Sequence, residues 1–385
     1  MRCRRQRLWW SAVPLVAVLA ACGGGSRADP TPSPSPTASV TDARTVTTEP
    51  EQAQPTTSSV PATPQSSASS VPSTTAAPVV LEPLTGLPVR DEASLLRPAL
   101  IVKVDGHLGA RPQYALDQAD VVIEEIVEGI TRFMAVYQSS VPEVVGPVRS
   151  ARTQDMLIAP MLDMPLFAWS GGNRKVTALV RKSPVVNLSA SSRGLKGVWY
   201  RTKQRKAPHN LLARGAALFA GAPETSHRPP AMFGYRAPGA DPGGRDISGF
   251  KVAMASTRVQ WVWDSKRAAF LRTSDLKPHT VDGGGQIGVD NVVVAEVRYR
   301  PSKADPNSPE AQTIGSGKAL VFTLGRVVVG TWTRAKTSQP WTLTDKEGRP
   351  ISLTPGRTWV ELATPARLTI IDVGVKPNEV PWKTK

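Results

Sequence analysis

Thiol chemistry is close to excluded from the outset. The chain of 385 residues has two cysteines, Cys3 and Cys22, both near the N-terminus, so the folded part has no sulfur for a disulfide or a thiolate nucleophile. Histidine is nearly as scarce. His107, His209, His227 and His279 show no HxH or HExxH spacing, which argues against a zinc site and leaves the metal assignment at none. Carboxylates are missing from one long stretch: between Asp163 and Glu224 there is no Asp or Glu, yet eleven Lys or Arg stand from Arg174 to Arg214. No apolar run is long enough to span a bilayer, which takes about 20 residues.

What is present begins with a leader. Residues 2–7 are basic, Leu8 to Ala21 are apolar, and Leu19-Ala20-Ala21 precede Cys22 and a run of glycines. This is the pattern of a signal peptide over 1–21. Small residues before a cysteine at its end resemble the lipobox of bacterial lipoproteins. Cys22 is thus the expected lipidation site, and the expected location is extracytoplasmic, anchored to the outer face of the cell membrane. Two or three acyl chains tether a protein firmly without spanning the bilayer. Residues 22–81 are then a lipidated cysteine and a tether. Its Ser, Thr, Pro and Ala cannot bury enough apolar area to fold, and its prolines make it a semi-rigid spacer.

After Leu81 the pattern changes to short elements, as 36 prolines and 30 glycines favour. Ala99 to Val104 reads as a buried strand, and Val121 to Val127 with Ile130 to Gln138 as a hairpin turning at Gly129. Thr153 to Leu162 reads as a helix capped by Thr153 and stopped early by Pro160. Val176 to Lys182 and Asn210 to Phe219 are further helices, and Leu166 to Trp169 is a strand. Residues 220–248, rich in Pro, Gly and Ala, mark a boundary. Beyond Phe250 come alternating runs: Val259 to Val262, Val292 to Tyr299, Ala319 to Leu324, Arg326 to Thr333, Thr358 to Leu362 and Leu368 to Val373. The expected fold class is α+β, with a mixed α/β lobe over 82–235 and a β-rich lobe over 248–380.

Net charge is +16, of which Arg2, Arg4, Arg5 and Arg7 belong to the leader. The surplus favours phosphates, wall polymers or anionic headgroups as partners, and nucleic acid is not expected for an exported chain. Arg149 and Arg152 leave a strand beside Ser150 and Thr153 and enter a helix start, where guanidinium forks and free N–H groups hold oxyanions. The alternative is that Thr153 caps the helix while the arginines pair with Asp155 and nearby glutamates. Trp169-Ser170-Gly171-Gly172-Asn173 forms a second strand-to-helix loop, with glycines for close approach and Trp169 for stacking on a sugar or base. The two loops open at one sheet edge if their strands run parallel. Arg205, His209 and Asn210 stand at a further expected helix start.

Among the acids, Asp105 follows a strand. Alternation sets Glu125 opposite to Glu124 and Glu128, facing inward with Arg132 or Arg149 as partner. A structural salt bridge and a general base or metal ligand are both open for it.

Several strings together resemble a known family. PLTGLPV (83–89), RPALIVKVDGHLGARPQ (97–113), LDQADVVIEEIVEGITRFMAVYQS (116–139), VGPVRSARTQD (145–155), LFAWSGGN (166–173) and RKAPHN (205–210) are similar to the YerB-like lipoproteins of Gram-positive bacteria. VDNVVVAEV (289–297), GRVVVGTW (325–332) and PGRTWVEL (355–362) are similar to that family's second domain. The resemblance covers about 82–380 and implies a domain of unknown function in two parts, hence a place in the envelope without an activity. Where the family carries a double glycine after the acidic strand, this chain has Glu128-Gly129-Ile130, which is expected to shift the hairpin. A fainter likeness is to LytR–CpsA–Psr phosphotransferases, although Arg149-Ser150-Ala151-Arg152 stands in place of a Pro-Arg-Asp triplet.

Three functions remain open. The first is a binding module for an anionic, phosphate- or carboxylate-bearing envelope ligand, using the residues of the 149–153, 169–173 and 205–210 segments. The second is a phosphotransferase or hydrolase on lipid-linked wall precursors, with Asp105 or Glu125 as base or Mg²⁺ ligand; otherwise no cofactor is expected. The third is a protein–protein scaffold docking through the β-rich lobe.

Overall fold

Strands buried on both faces carry no polar alternation, and the centre of this chain reads that way. The computed structural model describes residues 79–383, apart from 193, 194 and 196; Cys22, the leader and most of the tether lie outside the described residues. In chain order come β1 (Leu100–Asp105), β2 (Val121–Ile126), β3 (Thr131–Tyr137) and β4 (Val144–Val145). Next are α1 (Asp155–Ile158), β5 (Leu166–Trp169), α2 (Arg174–Lys182) and β6 (Val186–Ser189). β7 (Trp199–Arg201) and β8 (Leu211–Arg214) lead into α3 (Gly215–Phe219).

Beyond that point the described elements are strands and a short 3-10 turn. β9 (Arg245–Asp246), β10 (Gly249–Met254), β11 (Thr257–Asp264), β12 (Ala269–Ser274), β13 (Lys277–Pro278) and β14 (Gly288–Val289) come first. β15 (Asn291–Glu296), β16 (Tyr299–Pro301), β17 (Pro309–Ala311) and β18 (Gly315–Thr323) follow. β19 (Arg326–Arg334), β20 (Thr342–Asp345), β21 (Thr358–Ala363) and β22 (Leu368–Ile371) complete the set.

The main sheet has the order β20-β19-β18-β15-β21-β2-β3-β1-β5-β6. β21 pairs in parallel with both β2 and β15, so strands from the two expected lobes sit side by side in one sheet. The protein is mostly β. The mixed lobe's helices shrink to nine-residue α2 and short turns.

Three local expectations change. Thr153 to Leu162 is one α-turn, α1, running into a 3-10 turn over Ala159–Leu162, because Pro160 cannot donate to a continuing helix. Thr153 does not cap it; Gln154 holds the cap position without a side-chain bond. Asn210 to Phe219 divides into β8 and α3. Leu211 and Ala213 are buried in a three-stranded sheet with β4 and β7, and Gly215 turns the chain where a Cβ would lie 1.9 Å from the Pro142 carbonyl oxygen. The hairpin keeps an unbroken register from Val121↔Val136 to Ile126↔Thr131, turning at Gly129 with φ +79°.

Each face of the main sheet is covered. On one, a second sheet of order β13-β12-β11-β10-β22 packs: Phe250 stacks on Phe322 with centroids 3.7 Å apart, and Trp261 meets Trp359 edge-on at 5.4 Å. On the other, Ile101, Met134 and Phe167 pack with Val176 and Val180 of α2 and with Met156 and Ile158 of α1. Each such aromatic or aliphatic side chain stabilises the fold by about 1.5–3 kcal/mol on full burial.

Between the two sheets lies a fully buried polar group. Glu124 and Glu361 are register partners across β2 and β21. Arg272 of β12 binds Glu124 at 2.6 Å and lies over the Trp359 ring at 4.8 Å. Trp261 Nε1 donates to Glu361 at 3.0 Å, and Trp359 Nε1 donates to Glu124 at 3.2 Å. Glu124 Oε1 and Glu361 Oε2 have no other partner among the described residues, as one shared proton between them explains. Burial, with the Glu124 charge beside it, drives the Glu361 carboxyl well above its ordinary range, so Glu361 carries that proton. His279 contacts Arg272 through Nδ1 and Gln113 through Nε2, and burial keeps it neutral.

Candidate functional site

β1, β2, β5 and β6 all run the same way, since β3 is antiparallel to both β1 and β2 while β5 pairs in parallel with β1 and β6. Their carboxyl ends, Asp105, Ile126, Trp169 and Ser189, therefore open at one sheet edge, where loops of open α/β sheets bind ligands. The candidate residues gather there.

The first group is built on Asp105, 1% exposed. β1 turns sharply after it because Gly106 has no Cβ; one would lie 2.2 Å from the Thr131 carbonyl oxygen. Asp105 Oδ1 accepts the His107 amide at 3.0 Å. Its Oδ2 meets His209 Nδ1 at 2.6 Å and Arg149 Nε at 3.2 Å. The His209 ring stacks on His107 with centroids 4.3 Å apart and planes within 11°. Gly109 makes room for this: its amide donates to His107 Nδ1 at 3.0 Å, and a Cβ there would stand 3.3 Å from His209.

These bonds set the tautomers. His209 faces the carboxylate with a protonated Nδ1, which leaves Nε2 as its acceptor, whereas His107 accepts on Nδ1 and carries its proton on Nε2. Arg205 clips the two loops together by donating to the carbonyl oxygens of Ala110 and Pro112, its guanidinium 4.9 Å from the Tyr114 ring centre.

The second group lies beside it on the α2 face of the sheet. Lys103, fully buried, is held between Glu125 and Asp155, the latter at 2.7 Å. Burial lowers its ammonium to about 8 against the pull of Asp155. Asp155 also accepts the Arg152 amide at 2.7 Å, which fixes the 149–153 loop from beneath. Arg152 forks onto Glu128, with Nη2 at 2.8 Å. Glu128 is exposed and only partly desolvated, which raises a carboxyl, but the Arg152 hydrogen bonds and charge and the Arg132 charge outweigh this and bring it to about 2. Arg132, register partner of both Asp105 and Glu125, donates to the Ser150 carbonyl at 3.0 Å. Burial and the neighbouring Arg152 and Arg149 charges push it down to about 10.

Arg149 stands between the two groups. Its Nε lies 3.2 Å from Asp105 Oδ2, an ion-pair contact without a hydrogen bond; among the described residues its guanidinium makes no hydrogen bond, and the side chain is 22% exposed. The 149–151 segment is tied to the neighbouring loop by Ser170 N to Arg149 O and Ala151 N to Gly171 O, both 3.0 Å. Gly171, at φ +140°, has nothing within 4 Å of its Cβ position, so the 170–173 loop is open there.

The structure brings Asp105, Arg149, Ser150, Arg152, Ser170, Gly171 and His209 together and reassigns others. Trp169 is 1% exposed and donates to Asn187 at 2.8 Å, so it has no free face for a sugar or base. Thr153 is buried and bonds Ser302 at 2.9 Å. Asn210 is buried, bonded to Thr202 and Arg201. Gly172 packs against Val176 and Trp169, and Asn173 caps α2 through Val176 N at 2.9 Å. Glu125 is sealed from solvent and paired with Lys103, not with the expected Arg132 or Arg149, which removes it as a base or metal ligand. Arg152 follows the alternative reading and is held by Glu128.

Sequence reasoning missed His107 and Lys103. The His107 signal lay in the DGH string, since a residue two after an aspartate is well placed to donate its amide to that carboxylate. Among the described residues no three His, Cys, Asp or Glu side chains meet in a metal-holding group.

A cavity of about 700 Å³ lies at the opposite end of the sheet, between Arg236, Arg245 and Arg349. Its guanidiniums are engaged, by Thr323 and Thr354, by Asp372, and by Asp345 with Glu347. Neither Asp105 nor Arg149 lines this cavity.

A mostly β protein of two interleaved segments, with polar loops at one strand edge, matches a family of two domains. The family described as "Protein of unknown function (DUF3048)" matches with its N-terminal domain over 84–228 and its C-terminal domain over 250–360, and the chain belongs to it. It is 28% identical over 292 residues to the Bacillus subtilis (strain 168) protein named "Putative lipoprotein YerB", covering 73% of this chain and 85% of that protein. The crystal structure of YerB protein from Bacillus subtilis has the same fold, with a TM-score of 0.67 at 24% identity over 76% of this chain and 99% of that one. Among the described residues, no helix is long and apolar enough to cross a membrane.

Proposed function

We propose that this chain is a lipid-anchored protein of the outer membrane face that binds an anionic, phosphate- or carboxylate-bearing envelope ligand at Arg149. The observation that carries the reading is the free fork of Arg149. Buried carboxylates take up Lys103, and Glu128 takes up Arg152, while Arg149 has only an ion-pair contact, from Nε to Asp105, and no side-chain hydrogen bond. An oxyanion there receives two parallel hydrogen bonds and lowers the repulsion among Arg132, Arg149 and Arg152. Ser170 N and Ala151 N are already used, so neither of these amides is a donor for the ligand.

Titration calorimetry with inorganic pyrophosphate tests it. The chain is expected to bind and Arg149→Ala to lose at least tenfold in affinity; equal binding by the two proteins refutes the site.

The Asp105–His209 pair favours a second reading, a phosphotransferase or hydrolase. A histidine oriented by a buried carboxylate, with Nε2 outward beside a guanidinium, is the arrangement of a general base. A Mg²⁺-dependent thermal shift with a lipid-linked wall precursor, absent in Arg149→Ala, would favour it over simple binding.

A further inference from the structure

The cations that follow the site in sequence have almost no acids to face. Arg174, Lys175, Arg181, Lys182, Arg201, Lys203, Lys206 and Arg214 are exposed. Of the described cations in this stretch, Arg205 alone has a carboxylate within ion-pair distance, Asp282 at 3.6 Å. Two of these residues sit where a helix disfavours them. Arg174 and Lys175 open α2, whose first turn has no acid, although the N-terminal end of a helix dipole repels positive charge. Lys175 reaches only the Lys303 carbonyl, at 3.4 Å. Nothing in folding calls for cations there.

Their placement is ordered. Arg174 and Lys175 directly follow the 170–173 loop, whose Ser170 amide is bonded to Arg149 O. The Arg149 side chain leads to Asp105 and through it to His209. His209 N is bonded to Lys206 O, and Lys203 lies in the same loop, which Arg205 clips to the His107 loop. By these backbone bonds and loops, Arg174 and Lys175 adjoin the Arg149 segment on one side, and Lys203 and Lys206 adjoin His209 on the other.

We infer that the ligand is a linear polyanion with repeated phosphate groups. One group occupies Arg149 and its neighbours along the chain occupy the two flanking pairs. The inference rests on the Arg149 reading for its central contact and on the flanking cations for its length. A lone oxyanion uses Arg149 and leaves four flanking cations idle, whereas a chain releases counterions from each cation it engages, so affinity falls steeply with salt.

The probe is long-chain inorganic polyphosphate against pyrophosphate, titrated over a salt series with the chain, with Arg174→Ala/Lys175→Ala and with Lys203→Ala/Lys206→Ala. Polyphosphate is expected to bind at least a hundredfold tighter than pyrophosphate, with log K falling on log salt with a slope steeper than about 3. Each double variant is expected to lose about tenfold for polyphosphate, with a shallower slope, and to bind pyrophosphate as the unaltered chain does. Polyphosphate binding no tighter than pyrophosphate, or double variants without effect, overturns the inference while leaving the Arg149 site in place. Flank-dependent binding to phosphatidylglycerol vesicles without polyphosphate binding also overturns it, in favour of a membrane surface. Polyphosphate binding that depends on the flanks but not on Arg149 supports the flanking contacts and refutes the local site.

Discussion

Replacing Glu361 by glutamine removes one ionisable group from the space between the sheets while keeping its shape. In the native chain Glu361 accepts from Trp261 and holds the proton that faces Glu124. In Glu361→Gln the side-chain carbonyl accepts the same indole bond, and the amide donates to Glu124 Oε1 as the proton did. The two proteins then differ in titration. The unfolded Glu361 loses its proton near the ordinary value of 4.5, whereas the folded one keeps it to well above that value. Across this window the folded state binds more protons than the unfolded state, so native stability falls as pH rises, by about 1.4 kcal/mol per unit. The contribution is complete below about pH 4.5 and is lost by the folded pKa. Glutamine has no such slope. Above pH 5 the variant is therefore expected to gain stability relative to the native chain as pH rises, until the folded Glu361 itself ionises. Urea unfolding of both proteins at pH 5, 6 and 7 measures the difference. Parallel stability curves would show that Glu361 ionises freely and would refute the shared proton.

Lys103→Met leaves Glu125 and Asp155 buried without their cation and is expected to cost about 3–5 kcal/mol; Lys103→Met with Glu125→Gln should recover part of it, read by urea midpoints. Trp169→Phe keeps the ring packing but loses the Asn187 bond, so stability should fall by about 1 kcal/mol while pyrophosphate affinity stays unchanged; a loss of affinity would restore Trp169 as a ligand contact. Gly106→Ala drives a Cβ into the Thr131 carbonyl and should lower both the melting temperature and pyrophosphate affinity, because β1 can no longer turn to present Asp105 and His107.

The strands were legible where two-sided burial makes continuous apolar runs. RPALIVKVD and LFAW gave β1 and β5, and Gly129 between alternating segments gave the hairpin. Leu211 to Arg214 was not legible, because four residues ending at a glycine fit a helix start as well as a strand. The pairing of β21 with β2 spans more than two hundred residues, and nothing local in TWVEL names its neighbour. At the site, Arg149, Asp105 and His209 were readable as residue types, but their meeting depends on loops closing over Gly106 and Gly109. Glu125 is buried as alternation suggested, but so is Glu124 on the opposite face, because β2 is covered on both sides. The partner of Glu125 was misjudged because Lys103 lies on β1, which β3 separates from β2.

A crystal structure of the chain grown with pyrophosphate tests the account most directly. The terminal amino groups of Arg149 should lie within about 3 Å of phosphate oxygens, with His209 Nε2 turned toward the same group. An anion bound only at the distant Arg236–Arg349 cavity, with the Arg149 fork left in solvent, would contradict it.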